Sequence, residues 1–240
     1  MSLNKIKTMV VMFLISIILC SCSDVGYRIE DNKVIYERPW NAGRGKSINE
    51  LDADPKTFEI LGDDNKLWAR DKDHVYIGGV KLDFLNPKTF QVIKGLYAKD
   101  HKTVACDYLP IKEADVATFK LKEFQNEAGK KVIMGIDKNA AYTCSERGYR
   151  RLVSNSIDEF RPIKEGFYRD KTKVWWNSIS VPNANPDSFE VLGGGYATDG
   201  NRVYYHGSEV VGADLSTFKV TSDYHAKDKN HKYKFEDRVD

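Results

Sequence analysis

The residues able to do chemistry fall into three main groups, and aspartate is the most regular. Asp71, Asp100, Asp137, Asp170, Asp199 and Asp228 each open a short polar turn. A catalytic acid is needed once per site, whereas a turn residue is needed once per repeat, so the recurrence assigns these carboxylates to turns. Asp71-Lys72-Asp73, Asp199-Gly200-Asn201 and Asp228-Lys229-Asn230 share the opening spacing of calcium loops. None continues to the glycine and bidentate glutamate that such loops require, so no metal site is expected. The histidines His74, His101, His206, His225 and His231 show no zinc spacing and sit in or beside turns. Arg147, Arg150, Arg151 and Arg161 form a basic cluster, a candidate anion site, with a solvated charge run as the plainer alternative. Neither Gly-x-Ser-x-Gly nor a phosphate-binding Gly-x4-Gly-Lys occurs. No catalytic residue and no cofactor is therefore assigned.

The elements that must position these groups repeat. The clearest copy runs from Tyr196 to Phe218. Asp199-Gly200-Asn201 makes a turn, Val203-Tyr204-Tyr205 alternates as a strand does, His206-Gly207 turns again, and Glu209 to Val211 returns. Asp214, four residues before Phe218, predicts an N-cap on one helical turn. The same offset places Asp54, Asn86, Asp115, Ser156, Asn185 and Asp214 before Phe58, Phe90, Phe119, Phe160, Phe189 and Phe218. Successive phenylalanines are 32, 29, 41, 29 and 29 residues apart. A period near 30 implies stacked units that bury a face only against their neighbours. The expected fold is all-β: a tandem array of antiparallel β-hairpin repeats with short capped helical turns, two or three strands per unit. A small six-bladed β-propeller is the alternative, disfavoured because 29 residues is short for four strands. Residues 27–240 would hold about six units and a partial seventh. The irregular fourth unit spans residues 121–163 and contains the whole arginine cluster.

Residues 1–21 look like a signal peptide: Lys5 and Lys7 precede an apolar run too short for a comfortable membrane span. The run ends in Leu19-Cys20-Ser21-Cys22, which resembles the lipobox of bacterial lipoproteins. The resemblance implies cleavage before Cys22, lipid on its sulfur, and a tether over residues 22–26. Ser23 after the anchor implies outer-membrane sorting if the cell has two membranes. Formal net charge is +2, and Lys5 and Lys7 account for it, so the remaining body is neutral. A neutral body has no overall attraction for nucleic acid. Cys106 and Cys144 are then the two thiols left in an oxidising compartment, and a disulfide between them is expected. Their one-residue offset within the repeat sends them to opposite strand faces, which a bulge would have to absorb.

Tyr97-Ala98-Lys99-Asp100, Asp137-Lys138-Asn139, Asp228-Lys229-Asn230 and Val203-Tyr204-Tyr205 resemble the repeat of the bacterial DKNYY family. The resemblance covers nearly all of the chain beyond the leader. It implies an exported or lipid-anchored protein and supplies no catalytic residue. The expected function is non-catalytic: binding of an envelope protein or glycan through an outer face. Tyr36, Tyr76, Trp175, Trp176, Tyr204 and Tyr205 recur on strands, so half would face the core and half form a ladder on that outer face, with cross-strand pairing as the plainer alternative. Two other classes stay open, an enzyme or anion-binding protein with its site in the fourth unit, and a metal-dependent structural module.

Overall fold

The computed structural model describes residues 26–39, 45–62 and 67–239. The signal segment, Cys22, the tether up to residue 25 and loop residues 40–44 lie outside them. The fold is all-β. Among the described residues twenty-seven short strands form seven antiparallel sheets, the first of three strands and the other six of four. Each sheet is a simple meander in chain order. They cover residues 26–51, 59–82, 91–110, 120–153, 161–180, 190–209 and 219–238.

Six of the seven units thus have four strands where two or three were expected. The chain manages this in 29 residues because the strands are tiny. In the sixth sheet they are Glu190–Gly193, Tyr196–Thr198, Val203–Tyr205 and Ser208–Glu209. The last unit is also more complete than expected. Residues 219–238 form a full four-stranded sheet, not a fragment.

The sheets stack face to back, and strand period two decides which residues meet. Four residues after each repeated Asp comes a side chain on the forward face, and five residues after it one on the rear face. Val75 and Ile77 of the second sheet pack with Ala98 and Ala105 of the third. Val203 and Tyr205 of the sixth pack with Ala226 and Tyr233 of the seventh. Among the described residues six such apolar clusters occur, each shared by two sheets consecutive in sequence. Seven sheets with six shared cores make an open array, whereas a ring would share seven. The expectation of an aromatic outer face fails for the same reason. Tyr36, Tyr76, Trp175, Tyr204 and Tyr205 are buried between sheets, and Trp176 is half-buried.

The phenylalanines are the wedges between sheets. Phe189 contacts Phe167 of the sheet behind at 5.4 Å and Tyr204 of its own sheet at 5.9 Å. Phe119 does the same between Tyr97 and Tyr142, both at 5.8 Å. Phe90, Phe119, Phe160 and Phe189 are buried, while Phe58 and Phe218, next to the two ends, are half-buried. For Phe119, room for the ring comes from Gly135 beneath it. A Cβ added to Gly135 would lie 2.4 Å from Phe119 Cζ.

Cys106 and Cys144 are joined by a disulfide, with Cα atoms 5.7 Å apart. No bulge is needed to bring them together. Cys106 lies on the forward face of the third sheet and Cys144 on the rear face of the fourth, in one shared cluster. Opposite faces are what face-to-back stacking brings into contact, so the one-residue offset favours the bond.

Candidate functional site

The repeated aspartates are hydrogen-bonded three or four times each. Asp199 is 1% exposed. Its Oδ1 accepts the backbone N–H groups of Asn201 and Arg202, at 2.9 and 2.8 Å. Its Oδ2 accepts the Tyr204 hydroxyl at 2.9 Å and the backbone N–H of the cap residue Asn185 at 3.3 Å. Asp71, Asp137 and Asp228 repeat all four bonds, with Tyr76, Tyr142 and Tyr233 as the hydroxyl donors and Asp54, Asp115 and Asp214 as the caps. Asp100 has Ala105 in the tyrosine slot and keeps three bonds. Asp170 has Trp175 there, and the Ser154 hydroxyl substitutes, donating to Asp170 at 2.6 Å while accepting from Ser156 N–H at 3.0 Å.

Five of the six cap residues bond as expected, but among the described residues a helical turn follows only Ser156 and Asn185, at Ile157–Glu159 and Pro186–Ser188; the other caps open plain turns. Asp54, Asn86, Asp115, Asn185 and Asp214 each accept a backbone N–H from their own turn, and Ser156 does not. Thr57, Thr89, Thr118 and Thr217 then accept the N–H of the residue after the repeated Asp. Where the cap is an aspartate, that residue is a lysine paired with it: Lys72–Asp54 at 3.2 Å, Lys138–Asp115 and Lys229–Asp214 both at 2.6 Å. Where the cap is Asn86 or Asn185, the partner position holds His101 or Gly200. For Asp71, Asp170 and Asp199, burial alone would raise the carboxyl, but the hydrogen bonds outweigh it and hold each below the ordinary aspartate range. The same contact pushes the Tyr204 hydroxyl up to about 12, after the larger effect of its burial.

One buried carboxylate behaves otherwise. Asp107 is 4% exposed and sits in the hairpin turn after Cys106 at φ 55°, where aspartate is tolerated. Its backbone N–H donates to Leu96 O at 2.8 Å. Among the described residues nothing donates to its carboxylate. Burial, and then the neighbouring Glu146, raise its pKa. Asp107, Tyr108 and Glu146 line a groove of about 560 Å³ with Leu67, Gly95 and Leu96. A second groove of about 580 Å³ adjoins it, sharing Leu67 and Gly95 and walled by Trp68, Phe90, Val92 and Ile93. Sequence reasoning missed this pair because Asp107 follows one cysteine and Glu146 lies two residues beyond the other. Only the Cys106–Cys144 pairing could have signalled that they meet.

Comparison with known protein families matches residues 27–237 to the DKNYY family. The chain belongs to that family. No curated protein and no solved structure matches it. The DKNYY residues that carry the resemblance are those of the aspartate-centred hydrogen-bonded turn, or latch. The aspartate is the acceptor, the lysine pairs with the cap, the Asn139 or Asn230 position donates an N–H, and the first tyrosine closes the bond from the rear face.

The DKNYY fold does not gather the arginine cluster into one site. Arg150 and Arg151 are adjacent on the strand Gly148–Val153, so they point to opposite faces. Arg150 donates to Asn177 of the fifth sheet at 3.1 Å, whereas Arg151 lies opposite Tyr142 on the face toward the third. Arg161 belongs to the opposite edge of the fifth sheet, paired in register with Arg169, and Arg147 is exposed in a hairpin turn. The histidines are spread as widely. His206 stacks between Trp176 and Tyr205, each at 4.2 Å, while His74 and His101 sit in latch turns. Among the described residues no group of three or more His, Cys, Asp or Glu is placed to hold a metal ion.

Proposed function

We propose that this chain is a non-catalytic binding and scaffolding protein of the bacterial cell envelope, anchored by lipid on Cys22, that contacts a protein or glycan partner along one rim of the array. The lipobox-like Leu19-Cys20-Ser21-Cys22 supports the address, and Ser23 accords with outer-membrane sorting in a cell with two membranes. The observation that carries the contact surface is the placement of exposed aromatic side chains. Sheet faces are consumed by stacking, which leaves two long rims. One holds the latches, whose carboxylates already have three or four donors. The other holds the hairpin turns. Tyr108, Tyr224 and Phe235, the large exposed aromatics among the described residues, all lie on the hairpin rim. Exposed aromatics with polar tips are favoured at contact surfaces.

Photo-cross-linking in intact cells tests this. A cross-linker at Tyr224 should yield a discrete adduct, and one at Lys72 on the latch rim should not. Absence of adducts from every hairpin-rim position would overturn the rim reading. Cys22→Ala should release the protein from membranes or leave it unprocessed; unchanged fractionation with labelled fatty acid still attached would overturn the anchor.

A further inference from the structure

We propose that Asp107 and Glu146 form a site for an alkylammonium group, the side chain of a lysine in a peptide segment laid along the hairpin rim. The proposal rests on the reading of that rim as the contact surface. Seven carboxylates are buried among the described residues: Glu37 and Asp71, Asp100, Asp107, Asp137, Asp170 and Asp199. Glu37 pairs with Arg28 and Lys46, and the five latch aspartates have three or four donors each. Asp107 alone has no donor among the described residues, yet it lines an open groove. The Asp107 carboxylate reaches solvent only through this groove, so a cation seated there would supply the donors that the protein does not. The arrangement is held by covalent chemistry, since the Cys106–Cys144 bond fixes the third and fourth sheets where the two acids approach.

The groove discriminates among cations. A divalent metal would find only two carboxylates, because the Gly95 carbonyl accepts Trp68 Nε1 at 2.7 Å and the Leu96 carbonyl accepts the Asp107 N–H. Hard cations of that kind take six or more oxygens. An ammonium on an alkyl stem fits better. Its donors match the two carboxylates, and Leu67 and Leu96 line the groove beside the stem. Lys94 lines the adjoining groove and would repel the second charge of a free diamine, which favours a lysine side chain over a polyamine.

The test is calorimetric titration of the full chain, purified in detergent with its disulfide intact. The probes are acetyl-Gly-Lys-Gly-amide, the same peptide with norleucine for lysine, cadaverine and calcium chloride. The lysyl peptide should bind, the norleucine peptide should not, and cadaverine should bind more weakly. Asp107→Asn and Glu146→Gln should each reduce lysyl-peptide affinity 10-fold or more. Asparagine keeps the left-handed turn accessible, and the exposed Glu146 position decides the matter if Asp107→Asn fails to fold. No binding of the lysyl peptide at millimolar concentration overturns the proposal. So does equal binding of the norleucine peptide, cadaverine binding as tightly as the lysyl peptide, unchanged affinity in Glu146→Gln, or calcium binding that displaces the peptide. Such a failure beside intact cellular adducts from Tyr224 removes this site and leaves the rim reading standing.

Discussion

The same substitution should have opposite effects at two aspartates. Asp199→Asn puts N–H groups among four donors and should cost about 3 kcal/mol, read from urea melts at neutral pH. Asp107→Asn removes a buried charge that lacks a donor, and should raise the melting temperature. The pH dependences also differ in sign. The carboxyls of Asp71, Asp170 and Asp199 are depressed in the fold, so their contribution is fully present above the unfolded pKa of about 3.9 and is lost as pH falls through the folded values. The Asp107 carboxyl is raised, so its charge opposes folding near neutrality and the opposition fades as pH drops. Melts of Asp107→Asn against the parent should show the gain at pH 7 shrinking toward pH 4; a gain that grew on acidification would contradict the geometry. At this scale the sequence was informative about latches, because the aspartate recurs six times, four times with a tyrosine five residues on and four times 14 residues after its cap. It was silent about Asp107, which occurs once and acquires its neighbour through a contact 39 residues away.

Within a unit, the phenylalanine and the small residue below it work together. Gly135→Ala should cost about 1–3 kcal/mol by overpacking against Phe119, and Phe119→Leu should recover part of that loss in the double variant. Additive losses in chemical denaturation would show that the two side chains do not compete for the same space. Phe189→Ala should cost about 3–5 kcal/mol, and Phe218→Ala less, because Phe218 is only half-covered near the array's end. The repeat period, caps and anchors were legible because each is a spacing. The outer strands were not. Leu109–Pro110 and Arg161–Pro162 are two residues long, too short for any alternation to register, and each contains a proline that sequence reading places at an edge. The disulfide was legible as a pairing, but its geometry was misjudged. Two residues one step out of phase point apart in a single sheet, yet point at each other when one sheet lies behind the next.

Across the whole molecule the two ends differ from the middle. The forward-face slots that hold Val75 and Ile77, or Val203 and Tyr205, hold Lys232 and Lys234 in the last sheet, both exposed. The outward face of the first sheet carries the pairs Arg28–Glu30 at 2.9 Å and Lys33–Glu50 at 2.8 Å, with Glu37 held by Arg28 and Lys46. Charged ends of this kind are how solenoids stay soluble. Lys232→Val with Lys234→Tyr should restore an apolar forward face, and sedimentation velocity should then show concentration-dependent species above the monomer. A variant that stays monomeric at high concentration would mean that Lys232 and Lys234 are not the barrier. What those species would look like follows from the face-to-back joint. A twofold dimer needs a patch that is complementary to itself, and here the complementary patches are two different surfaces at opposite ends. Association through this joint is heterologous: each added copy consumes one free end and exposes another, and no finite assembly closes unless the chain of copies bends into a ring. The lysines of the seventh sheet and the ion pairs of the first therefore set the length of a structure whose own geometry specifies a fibre.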